Sequence, residues 1–341
     1  MTTLRQTLSL LILSALSMAF ASCAHTQTRQ DAFRLFAAEM EQKHGIPAAE
    51  VETLLASSEF RDDIIAAITR PAEAKPWHEY RPIFIQPKRI EEGVRFWKRN
   101  EALLDRVALQ YGIPPEIIVA IIGIETRYGQ FTGRHRVLDS LTTLAFGYPP
   151  RGDFFRGELE QFLLLCREES LDPHTAMGSY AGAMGKPQFI SSSYRQYAVD
   201  HDGDGKRDLW SNDADIIASV ANYFKRHGWH PGEWVALPLQ GTGRGDLKPF
   251  VEAGMQPSIP LRKLLASGLQ LPGKLNVDPE LLGSLIQLEA EDRQEYWVGL
   301  HNFYVITRYN HSNLYAMAAY QLSREIGAAK QREPSGISSD H

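Results

Sequence analysis

Residues Pro114 to Gly129 read P-P-E-I-I-V-A-I-I-G-I-E-T-R-Y-G, with helix signals at both ends. Pro115 and Glu116 suit a first helical turn, Ile117 to Ile124 is apolar on every side, and Gly129 is a natural stop. A helix apolar all round is a buried one, so the rest of the chain is expected to pack about this segment. It carries a carboxyl, Glu125, to its C-terminal end. There the preceding apolar residues desolvate it and the negative pole of the helix opposes its ionisation, and both effects raise a carboxyl pKa. A carboxylic acid still protonated near neutral pH is suited to protonating the leaving oxygen of a sugar–sugar bond. The competing reading is an ion pair at the edge of a core. Arg127 does not supply that partner, because residues two apart on a helix do not face each other.

The 341 residues suffice for one large domain or two to three small ones. Lys and Arg total 36 against 41 Asp and Glu, interspersed, which gives no basic surface for nucleic acid. Residues 1–22 hold one arginine, Arg5, then an uncharged run from Thr7 to Phe20 and small residues before Cys23. This is the shape of a signal peptide, too short to span a bilayer. Its ending F-A-S-C resembles the bacterial lipoprotein signal, which implies that Cys23 becomes the lipidated first residue of the mature chain. Ala24 in place of aspartate then favours the outer membrane. An ordinary cleaved secretory signal is the alternative, and either way the protein is exported to the periplasm. The other cysteine, Cys166, sits in F-L-L-L-C and reads as an inert buried thiol, so no disulfide framework is available.

Residues 23–30 form a short polar tether. Helical periodicity runs from Asp31 to Thr69, with Phe33, Phe36 and Met40 on one face, Gly45-Ile46-Pro47 as punctuation, and Val51, Leu54 and Leu55 beyond it. After the proline-flanked segment Pro71 to Pro87 it returns at Val94, Phe96, Trp97, Leu103 and Leu104, until Gly112-Ile113-Pro114 opens the Glu125 helix. His135 to Phe146 and Arg156 to Glu169 read as two further helices joined by a turn over 147–152. Gly178 to Phe189, G-S-Y-A-G-A-M-G-K-P-Q-F, has the glycines of a loop whose backbone approaches something closely. Ile216 to His227 is an amphipathic helix. Trp234 to Gln240, Ser284 to Glu289 and Glu295 to Leu300 read as strands, with a hairpin over Ala290 to Gln294. Helix resumes at His301 and runs to about Ile326, before a polar tail.

Asp200 to Asp208 reads D-H-D-G-D-G-K-R-D, which fits the first part of an EF-hand calcium loop. Asp200, Asp202 and Asp204 take positions one, three and five, Gly205 position six, Lys206 the backbone-carbonyl position seven, and Asp208 position nine. Position twelve is Ser211, not glutamate, and Asp215 is the candidate to close the sphere. The expectation is a structural calcium site within 200–215, with a solvated acidic turn as the alternative.

Taken together, I-I-G-I-E-T-R-Y-G, L-A-F-G-Y-P-P-R, the glycine loop, the acidic loop ending D-L-W and I-T-R-Y-N-H-S-N-L-Y resemble the lytic murein transglycosylase B family over essentially the whole mature chain. The resemblance implies a mainly α fold. A lysozyme-like catalytic core (77–232 and 301–328) would carry an N-terminal helical domain (31–76), a small inserted β-rich domain (233–300) and a disordered tail (329–341). It implies cleavage of the β-1,4 bond between N-acetylmuramic acid and N-acetylglucosamine in peptidoglycan without water, leaving 1,6-anhydro ends. Glu125 then corresponds to the single catalytic acid and base. Ser179 and Gln188 correspond to positions contacting substrate, Tyr309, Asn310 and Tyr315 to the far cleft wall, and Arg151 to a peptide-stem contact; Tyr80 is a further candidate. Tyr128, Lys186 and Ser191 depart from the family's commoner tryptophan, uncharged residue and proline, which bears on subsite preference.

A lone carboxyl is chemically sufficient for this reaction, because the substrate's own C6 hydroxyl replaces water and proximity replaces a second catalytic group. The resemblance further implies that the muramoyl N-acetyl group stabilises the intermediate. Partners implied are glycan strands, a lipid anchor and other cell-wall enzymes, for a chain that is monomeric and has no organic cofactor. Two alternatives stay open on the sequence. One is a hydrolytic muramidase with a second carboxylate, the other a non-catalytic peptidoglycan-binding lipoprotein.

Overall fold

Ile117 to Ile124, apolar all round in sequence, is buried all round in the computed structural model, as the interior of a helix Pro115–Thr126. The structure describes residues 29–70, 75–241, 243, 245–273 and 275–332. The expected signal peptide 1–22, Cys23 and the expected tether to residue 28 lie outside the described residues, as do 333–341. Residues 29–30, expected as tether, instead begin the first helix, with the Arg29 guanidinium 3.5 Å from the centre of the Phe60 ring. Among the described residues no single helix is long and apolar enough to cross a membrane.

The chain divides into two compact units. The first joins the N-terminal residues to 69 with 135–176 and 180–182. Its centre is the helix Val137–Gly147, buried along most of its length. Phe33 and Phe36, on the helix 29–44, meet the Phe146 ring edge-on at 4.9 and 6.0 Å. Asp139 is buried there because its charge is fully engaged: Arg136 grips it through Nε and Nη2, and the Glu59 N–H donates to it at 2.9 Å. Whereas the sequence set 31–76 apart from 77–232, this unit groups the N-terminal helices with the helices Val137–Gly147 and Gly152–Glu168. Aromatic faces far apart in the chain find each other, which a linear pattern does not reveal.

The second unit holds 70–134, 177–179 and 183 onward. Around the Glu125 helix pack the helices Pro87–Arg99, Asp213–Arg226 and Asn313–Arg332. Two glycines set their spacing. A Cβ at Gly93 or at Gly123 would stand 2.5 Å from the Tyr128 hydroxyl, so both are kept bare for one ring. The proline-flanked segment conceals a helix, Trp77–Phe84, which the flanking prolines and Pro82 within it disguise in sequence. The final helix runs past Ile326 to Arg332, so residues 329–332 are helical, contrary to the expected tail. Lys330 holds that end by bonding Glu101 at 2.7 Å.

Within 233–300 lies a four-stranded antiparallel sheet, in the spatial order Ala236–Leu239, Gln294–Gly299, Leu282–Glu289, Ile259–Pro260. Pairing Leu237 with Val298 and Leu285 with Val298 puts these side chains in one apolar cluster with Leu261, Leu264 and Leu269. The hairpin closes through the Ala290 N–H on the Arg293 carbonyl. Two short helices here, Lys248–Glu252 and Leu261–Ala266, carry too few residues for a periodicity to register.

Candidate active site

The Glu125 helix does not reach the glycine expected to stop it. It ends at Arg127, left-handed at φ 50°, followed by Tyr128 at φ 60°. Two side chains hold these residues where glycine would otherwise be favoured. Arg127 forms a bidentate ion pair with Glu92 at 2.6 and 3.0 Å. The Tyr128 hydroxyl, under the two glycines, donates to the Arg89 carbonyl at 3.0 Å. Arg127 is thus engaged elsewhere, and among the described residues no cation pairs with Glu125.

Its partner is Tyr315, whose hydroxyl donates to Glu125 Oε1 at 2.5 Å. Glu125 is half-buried, and burial pushes its carboxyl up to about 7, with the Tyr315 bond opposing the rise. Desolvation is the largest cause of the rise. Tyr315 and Tyr309 are held well above the usual phenol range, by burial first and then by the Glu125 charge, so both remain hydroxyl donors. Their rings lie parallel, centres 6.5 Å apart. Tyr80, buried on the helix Trp77–Phe84, acts electrostatically on Tyr315. Glu125, Tyr315, Tyr309 and Tyr80 therefore form one cluster.

The glycine loop attaches to this cluster at several points. The Tyr309 hydroxyl donates to the Pro187 carbonyl at 2.7 Å, and Thr126 Oγ1 donates to the Lys186 carbonyl at 2.9 Å. Lys186 Nζ bonds Asp213 at 2.5 Å, fastening the loop to the next helix as well. Gln188 is left-handed at φ 52°, and its Nε2 donates to the carbonyls of Gly185 and Thr132 at 2.9 and 3.1 Å. Ser179 Oγ accepts the Ala183 N–H at 3.0 Å. The close approach that the glycines implied is to protein: a Cβ on Gly185 would meet the Leu209 carbonyl at 2.4 Å. Asn310 is exposed beside Tyr309. Arg151 belongs to the first unit, exposed, with its guanidinium 4.4 Å from the Phe154 ring centre.

Sequence reading missed Thr126, Asp213 and the aromatic backing of Tyr309 by Phe189 and Tyr223, at 5.9 and 4.7 Å. Only the position of Thr126 next to Glu125 offered a signal.

In the acidic loop, oxygens of Asp200, Asp202 and Asp204 lie within 4.8 Å of one another. Three hard carboxylate donors gathered on a loop that Gly203 and Gly205 turn through positive φ fit a calcium ion, which also relieves their mutual repulsion. Asp208 and Asp215 are not in that group. Asp208 accepts from the Trp210 and Ser211 N–H groups. Asp215, fully buried, takes the His201 and Asp208 N–H groups, each at 2.8 Å. These two brace the loop from within, while the Lys206 N–H donates to Asp204 at 2.9 Å.

A largely helical, lysozyme-like fold that sets a desolvated carboxyl among tyrosines has the arrangement needed to protonate a glycosidic oxygen. Comparison with known proteins narrows the class. Residues 28–324 match the family described as Transglycosylase SLT domain, and the chain belongs to it. Membrane-bound lytic murein transglycosylase B of Escherichia coli K12 is 43% identical over 305 residues, covering 86% of this chain and 82% of that protein. The crystal structure of soluble lytic transglycosylase SltB1 from Pseudomonas aeruginosa superposes with a TM-score of 0.81 at 46% identity, over 88% of this chain and 99% of the other. The Escherichia coli lytic transglycosylase Slt35 in complex with calcium gives a TM-score of 0.81 at 42% identity, over 88% and 94%. The chain is accordingly a peptidoglycan lytic transglycosylase, a lyase acting on a glycosidic bond.

Proposed function

We propose that Glu125 performs both proton transfers of this lyase reaction on the β-1,4 bond between N-acetylmuramic acid and N-acetylglucosamine. As the acid, it gives its proton to the bridging oxygen, and the C1–O bond breaks to release the 4-hydroxyl of N-acetylglucosamine. As the carboxylate, it takes the proton of the muramoyl C6 hydroxyl while O6 bonds to C1, closing the 1,6-anhydro ring and restoring the acid. A pKa near 7 suits a group that must do both at neutral pH. The Tyr315 hydroxyl steadies the carboxylate between the two steps. The observation that carries the assignment is this half-buried carboxyl, which among the described residues pairs with a tyrosine hydroxyl and no cation. A single carboxyl suffices for the anhydro outcome, because the muramoyl C6 hydroxyl takes the place of water and of the second catalytic group.

Ser179, Gln188, Tyr80, Tyr309 and Asn310 line the substrate in this reading, and Arg151 meets the stem peptide. Both Gln188 side-chain bonds use Nε2, which leaves its carboxamide oxygen for the sugar. Asp200, Asp202, Asp204 and the Lys206 carbonyl hold a structural calcium ion, with Asp208 and Asp215 shaping the loop behind it. A signal peptide and lipidated Cys23 place the enzyme in the periplasm on the outer membrane.

Mass spectrometry of the muropeptides released from purified peptidoglycan by the mature protein is the test. Anhydro ends from the native protein, lost with Glu125→Gln, are expected. Reducing muramoyl ends would make the enzyme a hydrolase, and turnover surviving in Glu125→Gln would remove the assignment of Glu125.

A further inference from the structure

The second unit carries a cavity of about 710 Å³ that the lyase reaction does not use. It opens among residues 230, 233–234, 256–257, 276–278 and 280–282 and the start of the helix His301–Thr307. Apolar side chains make most of its wall, and two of them stand open to solvent, Trp234 at 46% and Leu282 at 47% exposure. Isolated exposed apolar residues are ordinary, but an indole and a leucyl side chain sharing the rim of one cavity mark a ligand surface. Beside them the His230 and His301 rings stack, centres 3.9 Å apart and 15° from parallel. Both rings are fixed, His230 by Glu233 at 3.0 Å and His301 by the Gly228 carbonyl at 2.7 Å. The aromatic surface is therefore rigid before any ligand arrives.

The polar groups set the chemistry of the occupant. Asp278, Gln256 and Asn276 offer carboxylate and carboxamide oxygens, and among the described residues no lysine or arginine lines the space. Glu233 and Glu280 are already engaged, by His230 at 3.0 Å and by Arg262 at 2.5 Å. Such a lining repels phosphates and carboxylates, and its polar rim does not suit an acyl chain. A neutral ring with an apolar C–H face for the indole and hydroxyl or amide donors for the oxygens fits both halves. The volume lies within the range of small-molecule sites. The helix His301–Thr307 begins in this cavity and spans about 10 Å, leading to Tyr309 beside Glu125.

We propose that this cavity is a second saccharide site, which takes an N-acetylated aminosugar unit of a glycan strand and retains the polymer near the catalytic cleft. The proposal rests on the peptidoglycan reading. It is tested with Trp234→Ala, which removes an exposed ring and leaves the fold intact, and independently with Asp278→Asn. In the Glu125→Gln background, titration with N-acetylglucosamine oligomers is expected to show two classes of site, one of which Trp234→Ala removes. With Glu125 present, Trp234→Ala is expected to raise KM on insoluble peptidoglycan about fivefold or more, as loss of a ring stacked on sugar implies, with kcat unchanged. Activity on a tetrasaccharide long enough only for the cleft is expected to stay unchanged. A single class of site in both proteins, an unchanged KM, or saturation of the cavity by stem peptide lacking sugar would overturn the proposal. Anhydro ends from the native protein test the underlying activity separately.

Discussion

The acidity of Glu125 is set by its desolvation, which the Tyr315 hydroxyl partly offsets. Removing the Tyr315 hydroxyl deletes the one interaction that lowers the Glu125 pKa. Tyr315→Phe is therefore expected to move the alkaline limb of the pH–rate profile above its native position near 7, while kcat falls because the carboxylate loses its donor. An unshifted limb would separate Tyr315 from the titration. The same shift predicts a stability effect. The folded protein holds the Glu125 proton up to about 7 against an ordinary 4.5, so this contribution is complete below 4.5 and is lost as pH rises through 7. Glu125→Gln, which has nothing to ionise, is then expected to gain up to about 3 kcal/mol over the native protein at pH 8 and little at pH 4, by denaturant titration.

At the scale of elements, the site depends on how closely three helices approach and on how the loops are tied. The bare Cα of Gly123 lets the Tyr128 ring lie against the Glu125 helix. Gly123→Ala is expected to cost about 1–3 kcal/mol in denaturant midpoint and to lower kcat, since overpacking displaces the turn that carries Glu125. A neutral result would mean that the helices have slack. The acidic loop joins the same structure, because Leu209 accepts the Lys186 N–H at 2.8 Å and Lys186 accepts from Thr126. Asp204→Ala is expected to lower Tm and to abolish stabilisation by calcium, which at a hundredfold excess over Kd is about 2.7 kcal/mol in the native protein. Retained calcium stabilisation would place the ion elsewhere.

For the whole molecule, an anchor at Cys23 would tie a glycan-cleaving enzyme to a membrane within reach of the wall. Cys23→Ser is expected to move the protein from the membrane fraction to the soluble periplasmic fraction with its activity on purified peptidoglycan unchanged. Persistence in the membrane fraction would exclude the lipid anchor. The buried Cys166, whose thiol burial pushes up to about 12, is expected to take no part in either outcome.

Local pattern determined by itself the buried helix 115–126, the strands about the 290–293 turn, the acidic loop with its glycines and the carboxyl placed at a helix end, because each is written in neighbouring residues. The family resemblance added the chemistry, through motifs whose order and spacing no single element supplies. Only the tertiary structure decided what Glu125 faces: Tyr315 lies 190 residues away, and Arg127, near in sequence, is turned to Glu92. It likewise decided that Asp208 and Asp215 brace the acidic loop while Asp200, Asp202 and Asp204 converge, and that the N-terminal helices pack with 137–168. Hydrogen bonds, desolvation and aromatic contacts depend on distance in space, and a sequence reports distance along the chain.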